Sequence, residues 1–121
     1  MPNQKRWYAQ VAGVFLLWVE EVVPDDPDGP PWKGNVLRRF QNVLIETPEG
    51  PREGKELWQS GPFFARSKKI AMDSAVETIG NSFADYKNLL KSPLWAESEV
   101  SEEKWDAACY RFVRGKDFEL P

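Results

Sequence analysis

The residues best suited to metal or acid–base chemistry are carboxylates, and the first group lies near residue 25. Asp25, Asp26 and Asp28 precede Gly29, a spacing that partly matches the opening of a calcium-binding loop. Pro27 interrupts the ligand spacing, and the glutamate that closes such a loop is missing at the required distance. We therefore interpret this segment as a solvated turn and predict no metal site there.

A second group of carboxylates lies near the C-terminus, close to the single cysteine. Glu102, Glu103 and Asp106 follow Ser101, where the positive end of a helix dipole favours acidic side chains without any acid–base role. Cys109 lies on the apolar side of the same predicted helix, so we interpret it as a small buried side chain and not as a reactive thiol.

The rest of the composition removes most common catalytic sites. The chain has no histidine and one cysteine, so it cannot build a His/Cys zinc site or a Ser-His or Cys-His nucleophile pair. None of its eight glycines belongs to a phosphate-binding loop. We predict a protein that is not an enzyme and has no cofactor; an enzyme that uses only carboxylates and lysines is a less favoured third class.

Length and charge indicate one globular domain spanning residues 1–121. The chain is 41% hydrophobic and 29% charged, with six tryptophans and seven phenylalanines, which is enough for one core. Its net charge of −3 opposes strong nonspecific binding to nucleic acid. We expect a cytoplasmic protein, because no secretory signal pattern is visible, one cysteine cannot form an intramolecular disulfide, and the apolar runs are too short to span a membrane.

The elements that would position these residues begin with a predicted N-terminal helix. In the segment before Pro24, polar residues fall on a narrow stripe of a helical wheel, which predicts a largely buried helix. Residues 24–35 read as a loop and residues 36–47 as a strand. Residues 55–59 and 62–67 are compatible with a hairpin that turns at Ser60 and Gly61, which makes two or three antiparallel strands.

Helices are predicted for most of the second half of the chain. Ser67 is a natural N-cap for a helix that begins at Lys68 and continues to about Leu90, either as one helix or as two. Ser101 caps a last helix over about residues 102–114. The predicted fold is therefore a single α+β domain with a buried N-terminal helix, a small antiparallel sheet and two or three further helices.

The start of the first of these helices, residues 67–79, resembles the second helix of double-stranded-RNA-binding domains. The likeness is carried by a serine cap, two lysines in the first turn and two alanines: Ser67, Lys68, Lys69, Ala71 and Ala75. The resemblance implies that Lys68 and Lys69 contact phosphates and that Gln10 faces a minor groove. The sequence departs from the family at Met72, where a third lysine is expected, and before the cap, where Phe63, Phe64 and Ala65 replace a glycine-rich lead-in.

The leading hypothesis is a non-catalytic domain that binds another protein, such as an inhibitor, an immunity or anti-defence factor, or an adaptor. Large aromatic residues in or beside loops often anchor protein interfaces, and this chain has three: Trp32, Trp58 and Trp95. We assign partner binding to these tryptophans together with Asp25, Asp26 and Asp28. The alternative is the double-stranded-RNA-binding module, with Gln10, Lys68 and Lys69 as its contact residues.

Overall fold

The computed structural model describes residues 3–89 and 93–120. Five strands form one antiparallel sheet in the spatial order β4-β3-β2-β1-β5, so β2 lies at its centre. The strands are β1 (Asn3–Val11), β2 (Phe15–Glu21), β3 (Trp32–Thr47), β4 (Gly50–Ala65) and β5 (Ala96–Ser101). The helices are α1 (Lys68–Ser82), a short 3-10 helix (Ala84–Leu89) and α2 (Glu102–Val113).

The predicted N-terminal helix is wrong, and with it the predicted α+β class with only two or three strands. Residues 3–21 form β1 and β2, which reverse at Ala12 and Gly13, both with positive φ values of 54° and 69°. The error has a physical cause. β2 is covered on both faces, so its sequence is an almost continuous apolar run that lacks the alternation expected of a half-buried strand.

Helix α1 covers one face of the sheet. Ala75 and Ile79 pack there against Phe15, Leu17 and Val36, all fully buried. Near the N-terminal end of α1, a second cluster joins Ala71 to the sheet through Val19 and Ala65. Small side chains on α1 bring the helix close to the strands, which fixes where the lysines of its first turn lie.

Helix α2 and the C-terminal segment cover the opposite face. Trp105, Ala108 and Phe112 pack with Phe118 against Leu16 and Leu37 of the sheet. Tyr8 and Trp18 extend this cluster through edge-to-face contacts with Trp105, whose ring centroid lies 5.9 Å and 5.7 Å from theirs. Successive residues of β2 thus serve two different cores, one on each side of the sheet.

The predicted hairpin at Ser60 and Gly61 is also wrong. β3 and β4 are each 16 residues long and reverse at Pro48 and Glu49. Around Gly61 the register shifts by one residue, because Gly34 pairs with Phe63 whereas Val36 pairs with Ser60. The residues predicted to form a turn therefore form a bulge in a continuous strand.

Two predicted helix starts are confirmed. The Ser67 hydroxyl accepts a hydrogen bond from the Ile70 N–H at 3.2 Å, and the Ser101 hydroxyl accepts one from the Lys104 N–H at 3.3 Å. α2 ends at Val113, one residue before the predicted end. The helical segment predicted from Lys68 is two helices, α1 and the 3-10 helix; Leu90, at its predicted end, lies outside the described residues.

Candidate functional site

The three tryptophans assigned to partner binding are half-buried packing residues. Trp32 lies on β3, with its ring centroid 5.4 Å from that of Trp7. Trp58 lies on β4 and contacts the Phe83 ring edge-to-face, 4.8 Å between centroids. Trp95 precedes β5 and packs against the core beneath α1. These contacts account for all three side chains without a partner.

The three aspartates are exposed in the loop between β2 and β3. The Asp26 carboxylate accepts a hydrogen bond from the Asp28 N–H at 3.0 Å, which closes the turn locally. The Arg66 guanidinium donates to the Asp28 carbonyl oxygen and ties this loop to the end of β4. Within residues 3–89 and 93–120, no three His, Cys, Asp or Glu side chains are grouped to hold a metal ion.

The residues assigned to RNA binding do not share one surface. Lys68 Nζ lies 4.5 Å from the centre of the Trp7 ring, on the face of the sheet that α1 covers. Lys69 is exposed and its Nζ lies 3.3 Å from the Asp73 carboxylate. Gln10 donates to the Phe118 carbonyl oxygen at 3.4 Å, on the opposite face. The described residues also begin with two strands, not with the helix implied by the resemblance.

A buried arginine, which sequence reasoning missed, lies beneath α2. Arg6 is only 3% exposed, and its Nε lies 2.6 Å from the Glu20 carboxylate. Its Nη2 donates to the Glu102 carboxylate, and its guanidinium carbon lies 4.8 Å from the centre of the Trp105 ring. Arg6 therefore joins β1, β2 and the first turn of α2. In the predicted N-terminal helix, Arg6 would lie on the polar stripe that faces solvent.

Arg6 is one of the residues that line a groove between α2 and the sheet. The groove has a volume of about 390 Å³ and is lined by further charged residues, among them Lys33 and Asp106. Burial, and then the charge of Glu102, raises the pKa of Asp106. Burial, and then the charge of Asp106, raises the pKa of the Cys109 thiol to about 12. A thiol in this state is protonated near neutral pH and is a poor nucleophile.

The most exposed apolar feature on a regular element is a two-stranded extension of the sheet, which we call the arm (residues 40–56). β2 pairs with β3 only as far as Arg38, after which β3 pairs with β4 alone. Seven register pairs, from Gln41 with Glu56 to Thr47 with Gly50, build an arm about 23 Å long. Three large apolar residues are exposed on it: Phe40, Leu44 and Ile45.

The two edges of the arm differ in chemistry. The β4 edge carries Pro51 and four charged residues, namely Arg52, Glu53, Lys55 and Glu56, which are features that discourage further strand pairing. The β3 edge carries no charge, proline or glycine from Phe40 to Ile45. That uncharged run is the sequence signal for this surface, although by itself it predicts only a strand.

The comparisons with known proteins give no family and no relative for this chain. None of the three helices in the described residues is long and apolar enough to cross a membrane. No protein-family model matches the chain, and the comparisons with curated proteins and with solved structures found no match.

Proposed function

We propose that this protein is a non-catalytic, cytoplasmic domain that binds another protein and that the arm makes the central contact. An inhibitor, an immunity or anti-defence factor and an adaptor all act by binding another protein. One observation carries the proposal: no residue of the arm belongs to the core clusters found among the described residues, although the arm is regular strand on both sides of its turn.

The arm has little to stabilise it in the absence of a partner. A two-stranded ribbon in water is marginally stable, because it has few side chains to pack against. This one exposes Leu44 to 76% and presents Ile45 on its other face. Apolar side chains exposed on an unpaired edge favour association, so contact with a partner would both stabilise the arm and remove these side chains from water.

Other predicted contact residues fit this proposal in different ways. Asp25, Asp26 and Asp28 are exposed and are retained as residues for a secondary, charged contact. Trp32, Trp58 and Trp95 would act indirectly, because they hold the sheet and α1 together.

The proposal is tested by removing the apolar surface of the arm while keeping its strands. Leu44→Thr/Ile45→Thr retains high β-propensity and removes most of the exposed apolar area. The matched control is Val23→Thr/Leu94→Thr, which alters two apolar residues outside the arm that are 95% and 93% exposed. In extracts of cells that naturally express the protein, we expect the wild type and the control variant to capture a protein partner saturably. The arm variant should not capture it, and equal capture by both variants would contradict the proposal.

The RNA alternative is tested beside it. The protein and its Lys68→Glu/Lys69→Glu variant are titrated with duplex RNA, single-stranded RNA and duplex DNA at low and physiological salt. Salt-sensitive binding that is selective for duplex RNA and lost in the variant would replace the protein-binding proposal.

A further prediction is that the arm is dispensable for folding. Deleting residues 42–55 and joining Gln41 to Glu56 through Asn-Gly leaves the core residues Leu57 and Trp58 in place. We expect the free energy of unfolding, measured with urea, to change by about 1 kcal/mol or less. Loss of a cooperative transition would show that the arm is part of the folding unit.

A further inference from the structure

We infer that a second copy of this chain pairs with the arm: the β3 edges of two arms join as antiparallel strands around a twofold axis at Leu44. This inference rests on the proposed function and names one occupant of the arm. It concerns the strand edge, and it leaves both faces of the arm open to a different protein.

The free segment has a defined length and a defined boundary. β2 occupies the β3 edge as far as Arg38, and the Arg39 N–H donates to the Val14 carbonyl oxygen at 3.0 Å. The turn at Pro48 and Glu49 ends the edge on the other side. Seven residues, 41–47, remain without a pairing strand on this side among the described residues. A second arm has the same seven residues. Two arms therefore fit side by side, with the tip of each (the turn at Pro48 and Glu49) next to the base of the other (the end near Arg39).

The order of residues in this segment is symmetric in chemical type. About Leu44, Val43 mirrors Ile45, Asn42 mirrors Glu46, and Gln41 mirrors Thr47. In an antiparallel pair centred on Leu44, each of these residues lies opposite its mirror position in the second copy. Apolar residues therefore meet apolar residues, polar residues meet polar ones, and no like charges lie opposite each other.

Neighbouring registers lack this match. Twofold symmetry about an axis normal to the sheet requires a residue to lie opposite itself at the centre. Centring the pair on Val43 would place Leu44 opposite Asn42 and Phe40 opposite Glu46. Centring it on Ile45 would place Leu44 opposite Glu46. Because cross-strand pairs stabilise a sheet according to their chemistry, the register centred on Leu44 is favoured.

Charge complementarity at the two ends of the arm supports the same arrangement. The tip carries Glu46 and Glu49. The base borders a cavity of about 570 Å³ whose lining includes three basic residues, Arg39, Lys55 and Arg114. Antiparallel pairing brings the acidic tip of each copy to the basic base of the other, at both ends of the interface. The contact is short, so we expect a weak dimer that forms with increasing concentration.

The experiment uses opposite charges at the twofold axis. Leu44→Glu alone and Leu44→Lys alone each place like charges opposite one another, whereas a mixture of the two variants pairs Glu with Lys. We expect the wild-type mass in light scattering to rise with concentration from 13.9 kDa towards twice that value. Each variant alone should weaken the dimer about tenfold or more, and the mixture should restore it.

Two controls separate this result from misfolding and from other contacts. Val23→Glu and Val23→Lys change an exposed residue outside the arm and should dimerise like the wild type. On oxidation, Leu44→Cys should form a disulfide-linked dimer, whereas Asn42→Cys should not, because Asn42 does not lie opposite itself in this register.

Three outcomes would overturn the inference: a wild type that stays monomeric at every concentration, a dimer that survives both Leu44 charges, or a mixture without restored dimer. The proposed function fails separately. If a monomeric protein still captures a different partner through Leu44 and Ile45, the proposed function stands and the inference is wrong. A dimer that pairs at Leu44 while no other partner depends on the arm gives the reverse result.

Discussion

Replacing Arg6 with alanine is expected to lower the free energy of unfolding by about 3 kcal/mol, towards the lower end of the range for breaking a buried ion pair. The Arg6 side chain is almost fully removed from water, and that of its partner Glu20 is only 12% exposed. Removing the guanidinium leaves the Glu20 carboxylate buried without a counter-charge, and it also removes the contact with the Trp105 ring. The lower end of the range applies because the Glu102 carboxylate is half exposed and can be solvated.

Urea denaturation of Arg6→Ala measures this loss, and two further variants show its cause. Arg6→Met/Glu20→Gln removes both charges of the more buried pair, so most of the loss should be recovered if the unpaired carboxylate is the reason for it. Lys5→Ala breaks the exposed pair of Lys5 with Glu97, 2.9 Å apart, and should change stability little because water screens such pairs. Equal effects of Arg6→Ala and Lys5→Ala would contradict this account of Arg6.

The second large effect is expected at Cys109, whose thiol should react slowly while the protein is folded. With a pKa of about 12 instead of the ordinary 9.0, the thiol holds roughly a thousandfold less thiolate at pH 8, and thiolate is the reactive form. Alkylation by iodoacetamide, followed by mass spectrometry, should therefore be more than about tenfold slower in the native protein than in urea, because the greater nucleophilicity of a thiolate with a high pKa offsets part of the loss. Comparable rates in the two states would show that the thiol is solvated.

The same shift predicts how stability depends on pH. The folded state holds the Cys109 proton more tightly than the unfolded state does, so this contribution is complete below pH 9 and is lost as the pH rises towards 12. Denaturation midpoints of the wild type should fall over this interval. In Cys109→Ala, the part of the slope due to the thiol should be absent, and an unchanged slope would assign the effect to other groups.

The two sequence-based functional hypotheses relied on residues that the structure uses elsewhere. Trp32 and Trp58 lie within β3 and β4, whereas the predicted strand boundaries place them in or beside loops. Gln10 was assigned to a minor-groove contact because it lies on the polar stripe of the predicted N-terminal helix. With β1 in the sheet, Gln10 and Lys68 lie on opposite faces. The arm was missed because a strand in the sequence does not show whether it has two neighbours or one.

What the sequence determined by itself was local. Ser67 and Ser101 mark helix starts, and the acidic first turn of α2 suits the helix dipole, because hydrogen bonds and charges within a few residues decide such features. Tertiary structure decided the rest. Residues 3–21 became strands because neighbouring strands pair with their backbone while both faces are buried, and Arg6 gained its role from Glu102, 96 residues away. Such contacts depend on sheet order and register, which no short stretch of sequence specifies.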